Sequence, residues 1–174
     1  IVADVIDDLL ESNLPFSRNV KLGMMVEVPS AVILLDQFID EVDFLSIGTN
    51  DLIQYTMAVD RTNETVADLY NAADPAVLRL IARVVEAGAE HKRPVLVCGS
   101  MGGEPLYTSL LVGLGLRELS MAPHQVPEIK RVVRAIHLDQ ARDLAARALT
   151  LDSAGAVLDL LREALRTMLP EPGS

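Results

Sequence analysis

Along the chain, short apolar runs alternate with longer segments in which apolar residues recur every three or four positions. The short runs predict β-strands at residues 21–28, 42–47, 94–99 and 117–122, the last of them the weakest. The longer segments predict helices at residues 1–10, 29–40, 51–57, 74–92, 104–115, 126–136, 138–149 and 153–168. The run "KLGMMVEV" at 21–28 is almost continuously apolar, which is typical of a strand buried on both faces. Residues 60–73 are polar and are predicted to form a loop.

This alternation of strands and helices indicates an α/β fold with a parallel sheet. Two architectures fit it: an open doubly wound sheet, and the carboxyl-terminal half of a (β/α)₈ barrel with four of its units. The segments "GTNDLI" and "GSMGGE" lack the spacing of a dinucleotide-binding glycine motif, which weakens the first alternative. We treat residues 1–174 as a single domain, with strand–helix units at about 20–136, extra helices at about 138–168 and a tail at 169–174.

Composition narrows the possible functions. The net charge of −10 and the 3% aromatic content argue against a nucleic-acid partner. The single cysteine, Cys98, excludes an internal disulfide framework and favours a cytoplasmic location. The longest apolar run, around 106–116, is too short for membrane insertion, and no signal peptide is evident. The chain begins in helical rhythm without an initiator methionine, so we expect it to be part of a longer chain.

The first three predicted strands end in polar residues at the same end of the sheet. The first strand ends at Glu27, the second at Asn50 and Asp51, and the third at Cys98. Because chemistry in parallel α/β folds sits at the carboxyl ends of the strands, we expect these residues to converge on one cleft. Two neighbouring carboxylates need a neutralising cation, and Mg²⁺ binds one or two carboxylates together with waters and substrate oxygens. Arg61, a planar cation ten residues beyond Asp51, suits a phosphate or a carboxylate.

Each of these residues also has a structural interpretation. Glu27 and Asp51 are acceptable helix caps, Cys98 is acceptable as a small buried apolar residue, and Arg61 as a solvated surface residue. The three histidines have no metal-ligand spacing and are interpreted as structural or surface residues: His91, His124 and His137. The functional interpretation rests on the common position of the polar residues at one end of three successive strands.

Four segments of the chain carry a family resemblance: "GMMVEVPSA", "EVDFLSIGTNDLIQYTMAVDR", "DPAVLRLI" and "VLVCGSMGG". Together they resemble the phosphoenolpyruvate (PEP)-utilising enzymes over about residues 21–149. Within that family they look most like enzyme I of the bacterial sugar phosphotransferase system, a PEP–protein phosphotransferase. Pyruvate phosphate dikinase and PEP synthase are more distant relatives. The segment "FLSIGTNDLIQYTMAVDR" is long and highly specific.

The resemblance implies a (β/α)₈ barrel that binds PEP and Mg²⁺ and releases pyruvate. Carried over by motif, Glu27 and Asp51 are Mg²⁺ ligands, and Asn50 and Arg61 contact the substrate phosphate. Cys98 is the proton donor to the methylene carbon of enolpyruvate. The resemblance further implies a phosphocarrier protein as partner. A homodimer is expected for a physical reason. Four strands of a closed barrel leave two open edges and an uncovered inner face, which either a second copy or the rest of a longer chain would bury.

The chain departs from the family pattern at one important position. Ser100 follows Cys98-Gly99 where the family usually has a glutamate, so a carboxylate that could tune the thiol is missing. Gly102 and Glu104 are milder changes from the usual alanine and aspartate. No histidine of this chain lies in the family's phospho-histidine motif, so the phosphoryl group is expected to move to a histidine outside it.

The expected function is therefore that of the PEP- and Mg²⁺-binding part of a PEP–protein phosphotransferase, inactive by itself. Two alternatives remain. One is a fragment of a pyruvate phosphate dikinase or PEP synthase relative, which an upstream nucleotide-binding domain would mark. The other is a regulatory or dimerisation module with a degenerate site, which Ser100 permits.

Overall fold

The structure, a computed structural model, describes residues 1–63, 65–66 and 69–169. It contains four strands: β1 (Gly23–Val26), β2 (Phe44–Gly48), β3 (Val95–Cys98) and β4 (Glu118–Leu119). The helices are α1 (Val2–Glu11), α2 (Pro29–Ile33), α3 (Thr49–Met57), α4 (Pro75–Glu90), α5 (Pro105–Leu114), α6 (Val126–Ala135), α7 (Leu138–Thr150) and α8 (Ala154–Met168). Positions 170–174 of the predicted tail, and positions 64, 67 and 68 of the predicted loop, lie outside the described residues.

The four strands form one parallel sheet in the order β1-β2-β3-β4. One row of the register runs straight across it through Val26, Ile47, Val97 and Leu119. The predicted α/β fold is confirmed, and the strand–helix units fit part of a (β/α)₈ barrel. The fourth strand has only two residues, in keeping with its weak sequence signal.

One face of the sheet carries the apolar core. Val26, Leu45, Ile47 and Val97 are fully buried on this face and belong to the same core cluster as apolar residues of α4 and α5. Burying side chains of this size stabilises the fold by about 1.5–3 kcal/mol each relative to exposing them. This packing holds the strands in register, and the register sets the relative positions of the residues at their carboxyl ends.

The opposite face of the sheet is open among the described residues. On this face Gly23, Met25, Phe44 and Leu96 are exposed or half-buried, with Met25 47% exposed, while Ser46, paired with Met25 and Leu96, is buried. The expectation that the first strand is buried on both faces is therefore wrong: its even-numbered residues face the core, and its odd-numbered residues face an uncovered side. We call the side of the sheet that carries Met25, Phe44, Ser46, Leu96 and Cys98 the open face.

Two helices next to the carboxyl ends of the strands, α2 and α3, differ from their predicted bounds. The predicted helix at 29–40 continues as α-helix only to Ile33, and two short 3₁₀ turns follow at Leu35–Gln37 and Ile39–Glu41. Leu35 and Ile39 are still buried, so the apolar pattern reflects the core contact and not a continuous helix. Helix α3 begins at Thr49, directly after β2, and so includes Asn50 and Asp51 in its first turn.

The helices that follow β4 pack on α5 and lie away from the carboxyl ends of β1 and β2. A Cβ atom added at Gly113 of α5 would overlap the carbonyl oxygen of Ala141 in α7, so these two helices are in backbone contact. Val157 and Leu161 bring α8 into the same core. Within the described residues, no helix combines the length and the apolar character needed to cross a membrane.

Candidate active site

Four of the residues predicted for the site lie at, or just after, the carboxyl ends of the first three strands: Glu27, Asn50, Asp51 and Cys98. Gly48 of β2 is paired with Cys98 of β3, and Glu27 follows Val26 at the same level of β1. A Cβ atom at Gly48 would lie 2.9 Å from Oε2 and 3.0 Å from Cβ of Glu27. The Glu27 side chain therefore lies over the end of β2, in space that a larger residue would fill.

Neither acidic residue acts as a helix cap. The residue that precedes α2 is Val28, and no side-chain hydrogen bond caps that helix. Helix α3 likewise begins after Gly48 without a side-chain cap, and Asp51 lies in its first turn. Capping therefore does not account for Glu27 or Asp51. A carboxylate in the first turn of α3 is also favoured by the positive end of the helix dipole.

The Cys98 thiol lies on the open face, half-buried between β1 and β2. Ser46 Oγ donates a hydrogen bond to Cys98 Sγ at 3.3 Å, and the thiol donates to the carbonyl oxygen of Ile47 at 3.4 Å. Met25 Sδ lies 3.6 Å from the same sulfur. The thiol thus has both a hydrogen-bond donor and acceptors around it, and it faces the uncovered side of the sheet, away from the apolar core.

Asn50 is held by contacts to both its backbone and its side chain. Its Oδ1 accepts hydrogen bonds from the backbone N–H of Ser100 at 3.0 Å and from Ser100 Oγ at 2.8 Å. The Tyr70 hydroxyl donates to the Asn50 carbonyl oxygen at 3.0 Å. The neighbouring Thr49 is buried, and its Oγ1 donates to the Cys98 carbonyl oxygen at 2.9 Å. These bonds join the start of α3 to the end of β3.

Gly99 allows this junction to form. Its φ of +101° lies in a region that residues with a Cβ rarely adopt, and a Cβ atom there would lie 2.5 Å from Thr49 Oγ1. The same atom would lie 3.0 Å from Asn50 Oδ1. The glycine between Cys98 and Ser100 is thus required both by its backbone conformation and by the close approach of Asn50.

Arg61 is a neighbour of Tyr70, which contacts Asn50. The backbone N–H of Arg61 donates to Gln54 Oε1 at 3.3 Å, which ties the segment after α3 back to that helix. Burial raises the pKa of Tyr70, and the neighbouring Arg61 side chain partly offsets this effect. Tyr70 also contacts the backbone of Asn50, so the exposed Arg61 side chain and the first turn of α3 share Tyr70 as a neighbour.

The donor set fits the Mg²⁺ that the family implies. Glu27 and Asp51 offer hard carboxylate oxygens after the ends of adjacent strands, and the space over Gly48 is taken by the side chains of Glu27 and Met25. Within the described residues, no group of three or more histidine, cysteine or acidic side chains could hold a metal by itself. Mg²⁺ does not require such a group, because it keeps several waters and completes its shell with substrate oxygens.

Several residues of the site carried no clear signal in the sequence. Ser46 is two residues before Gly48 in β2, and residues two apart in a strand lie on the same face. Strand periodicity could therefore have indicated that Ser46 belongs to the site. Tyr70 comes from the predicted loop, far along the chain, and only the tertiary structure brings it to Asn50. Glu104 lies near Tyr70, and partial burial raises the pKa of its carboxyl. The sequence marks Ser100 only as a residue that replaces the usual glutamate, and it gives no sign of the contact between Ser100 and Asn50.

Comparison with known proteins identifies the family. Residues 1–138 match the family described as "PEP-utilising enzyme, PEP-binding domain". The chain belongs to this family. The resemblance seen in the four sequence segments is thereby confirmed for the family as a whole.

Individual relatives point to one branch of it. The chain is 43% identical over 153 residues to the phosphoenolpyruvate-protein phosphotransferase of Buchnera aphidicola. This match covers 88% of this chain and 27% of that protein. It is 43% identical over 145 residues to the Staphylococcus carnosus protein of the same name, and this match covers 83% of this chain and 25% of that protein. A multiphosphoryl transfer protein of Escherichia coli is 43% identical to the chain over 154 residues, and this match covers 88% of this chain and 18% of that protein. The chain spans about a quarter of the length of the curated relatives it matches, or less.

Proposed function

We propose that this chain supplies the PEP- and Mg²⁺-binding part of a longer PEP–protein phosphotransferase, called the parent protein below. The observation that supports the proposal is that Glu27, Asn50, Asp51 and Cys98 all lie at, or just after, the carboxyl ends of adjacent parallel strands. Two of the relatives described above are named phosphoenolpyruvate-protein phosphotransferases, which supports this branch of the family.

In this proposal the residues divide into binding and chemical roles. The Asn50 amide and the Arg61 guanidinium donate hydrogen bonds to the phosphate of PEP. Glu27 and Asp51 hold Mg²⁺, which when bound offsets the negative charge of the phosphate. The phosphorus–oxygen bond to the enol breaks as the phosphoryl group moves to a histidine outside this chain. The electron pair left on the enolate then takes up a proton at the methylene carbon, which gives pyruvate.

Cys98 supplies that proton in the proposed mechanism. Loss of the thiol proton to carbon leaves a thiolate, and the Ser46 hydroxyl lies at 3.3 Å in position to donate a hydrogen bond to it. General-acid catalysis of this kind contributes about 10²- to 10⁴-fold to a rate. Solvent returns the proton to the thiolate for the next turnover.

The proposal also covers partners and location. A phosphocarrier protein accepts the phosphoryl group from the parent protein in the cytoplasm. The apolar side chains of the open face, such as Met25 and Phe44, favour a homodimer because their exposure to water is unfavourable. Light scattering is expected to show a dimer of the 174-residue chain, and a monomer at all concentrations would contradict this part. The chain alone is expected to release no pyruvate from PEP, since it has no phospho-accepting histidine.

Substrate binding tests the proposal directly. PEP added with Mg²⁺ to the ¹⁵N-labelled chain is expected to shift the amide resonances of residues 27, 50, 51 and 98, and Mg²⁺ should strengthen the effect. Asp51→Asn should abolish the Mg²⁺ dependence, while Asp152→Asn, a change of an exposed carboxylate before α8, serves as the matched control. Shifts confined to other parts of the sheet, or binding that ignores Mg²⁺, would refute the assignment.

A further inference from the structure

The side-chain amide of Asn50 has a defined orientation in this structure. Both groups that contact its Oδ1 are hydrogen-bond donors, the backbone N–H and the hydroxyl of Ser100. An NH₂ group in that place would meet the Ser100 N–H donor to donor, so the amide cannot be turned around without losing a hydrogen bond. The NH₂ end is therefore directed away from Ser100.

The rest of Asn50 is held as well. Its carbonyl oxygen accepts the Tyr70 hydroxyl, and α3 fixes its backbone directly after β2. In contrast, the hydrogen bonds among the described residues include none from Asn50 Nδ2. The side-chain group of Asn50 that remains for a ligand is thus a pair of N–H donors, which suits the oxygens of a phosphate.

We propose that Ser100 is a positioning residue, which fixes the Asn50 amide so that its NH₂ group, and not its carbonyl oxygen, meets the substrate phosphate. This inference deepens the proposed function and rests on it for the identity of the ligand. A glutamate at position 100 would keep the backbone N–H but would replace the hydroxyl donor with a carboxylate. An ionised carboxylate only accepts hydrogen bonds, so it competes for the Asn50 NH₂ group instead of holding Oδ1.

The first test needs no substrate. The carbon-13 resonance of Asn50 Cγ reports the hydrogen bonds that Oδ1 accepts, and the Asn50→Ala variant assigns it. Ser100→Ala should shift this resonance, and Ser100→Thr, which keeps the hydroxyl, should largely restore it. Ser17→Ala, at an exposed serine far from the site, is the control and should leave it unchanged. An unchanged resonance in Ser100→Ala would overturn the inference whether or not the chain binds PEP.

The second test measures affinity for PEP with Mg²⁺. Loss of one hydrogen bond to Oδ1 should weaken binding by about three- to tenfold in Ser100→Ala. The same substitution made in the Asn50→Ala background should have no further effect, because the two residues act through one contact. Additive losses would show that Ser100 acts by another route and would overturn the inference.

The two hypotheses fail in different ways. If the wild-type chain does not bind PEP, the proposed function is wrong, and with it the phosphate as ligand of the Asn50 amide. The carbon-13 measurement then still decides whether Ser100 fixes that amide. If PEP binds normally to Ser100→Ala and the Asn50 resonance is unchanged, the proposed function stands and the positioning role is wrong.

Discussion

A Cβ atom at Gly48 would lie 2.9 Å from Oε2 of Glu27, so the glycine at the end of β2 leaves the space that the Glu27 carboxylate occupies. The same Cβ atom would lie 3.0 Å from Glu27 Cβ and 3.1 Å from Met25 Sδ, and Gly48 has an ordinary φ of −80°. Gly48→Ala should therefore displace the Glu27 carboxylate at a smaller cost in stability than a substitution that also strains the backbone. We expect the variant to stay folded with a modestly lower thermal midpoint and to lose most of its Mg²⁺-dependent PEP binding.

The comparison of Gly48→Ala with Gly99→Ala sharpens this prediction. At Gly99 the positive φ and the approach to the buried Thr49 make any Cβ unfavourable. Gly99→Ala should destabilise the fold by about 1 kcal/mol or more, measured by chemical denaturation. Equal loss of stability in the two variants would show that Gly48 is a packing residue and not part of the site.

The two proposed Mg²⁺ ligands should respond alike to loss of charge. Glu27→Gln and Asp51→Asn keep the size of each side chain but remove a negative charge from the metal site. Each is expected to weaken Mg²⁺-dependent PEP binding by about tenfold or more, a loss of about 1.4 kcal/mol. In the parent protein, Asp51→Ala should abolish turnover. Normal Mg²⁺ dependence in either isosteric variant, measured by calorimetry, would remove that residue from the ligand set.

Cys98 should affect the release of pyruvate more than the binding of PEP. The thiol acts on carbon after the phosphoryl group has left, so Cys98→Ala removes a proton donor without removing a phosphate contact. In the parent protein we expect pyruvate release to fall by about a hundredfold or more, with PEP affinity within about threefold of the wild type. A variant that makes pyruvate at the normal rate would reduce Cys98 to a packing role.

Gly113 of α5 and Gly155 of α8 should respond in opposite ways to alanine. At Gly113 a Cβ would overlap the backbone of Ala141, so Gly113→Ala should separate α5 from α7 and destabilise the fold by about 3 kcal/mol or more. At Gly155 of α8 nothing lies within 4 Å of a Cβ, so Gly155→Ala should stabilise by about 0.5 kcal/mol. Denaturant titrations of both variants check this, and similar effects would contradict the close contact of α5 with α7.

Glu104 should make a small pH-dependent contribution to stability. Partial burial raises the pKa of its carboxyl above the ordinary value of 4.5. A raised pKa in the folded state means that folding disfavours the ionised form, so stability is lost as the pH rises through this range. Glu104→Gln should therefore raise the thermal midpoint at pH 7 relative to the wild type, and the difference should vanish below about pH 4. A difference that persists at low pH would point to packing instead.

The sequence by itself determined the order of the elements and the end of the sheet at which chemistry lies. The apolar runs gave four parallel strands, because a parallel strand must bury side chains from a short segment between helices. The positions of Glu27, Asn50, Asp51 and Cys98 relative to those strands follow from the same local pattern. The family, too, was recognisable from segments that lie at these strand ends.

Only the tertiary structure decided which strand face is covered and which polar groups meet. A run such as "GMMV" is equally apolar on both faces, so its sequence cannot show that Met25 is exposed while Val26 is buried. The hydrogen bonds from Ser100 to Asn50 and from Tyr70 to Asn50 join residues 50 and 20 positions apart. Such contacts depend on strand register and on the close approach permitted at Gly99, and both arise from packing of the whole sheet and not from local propensity.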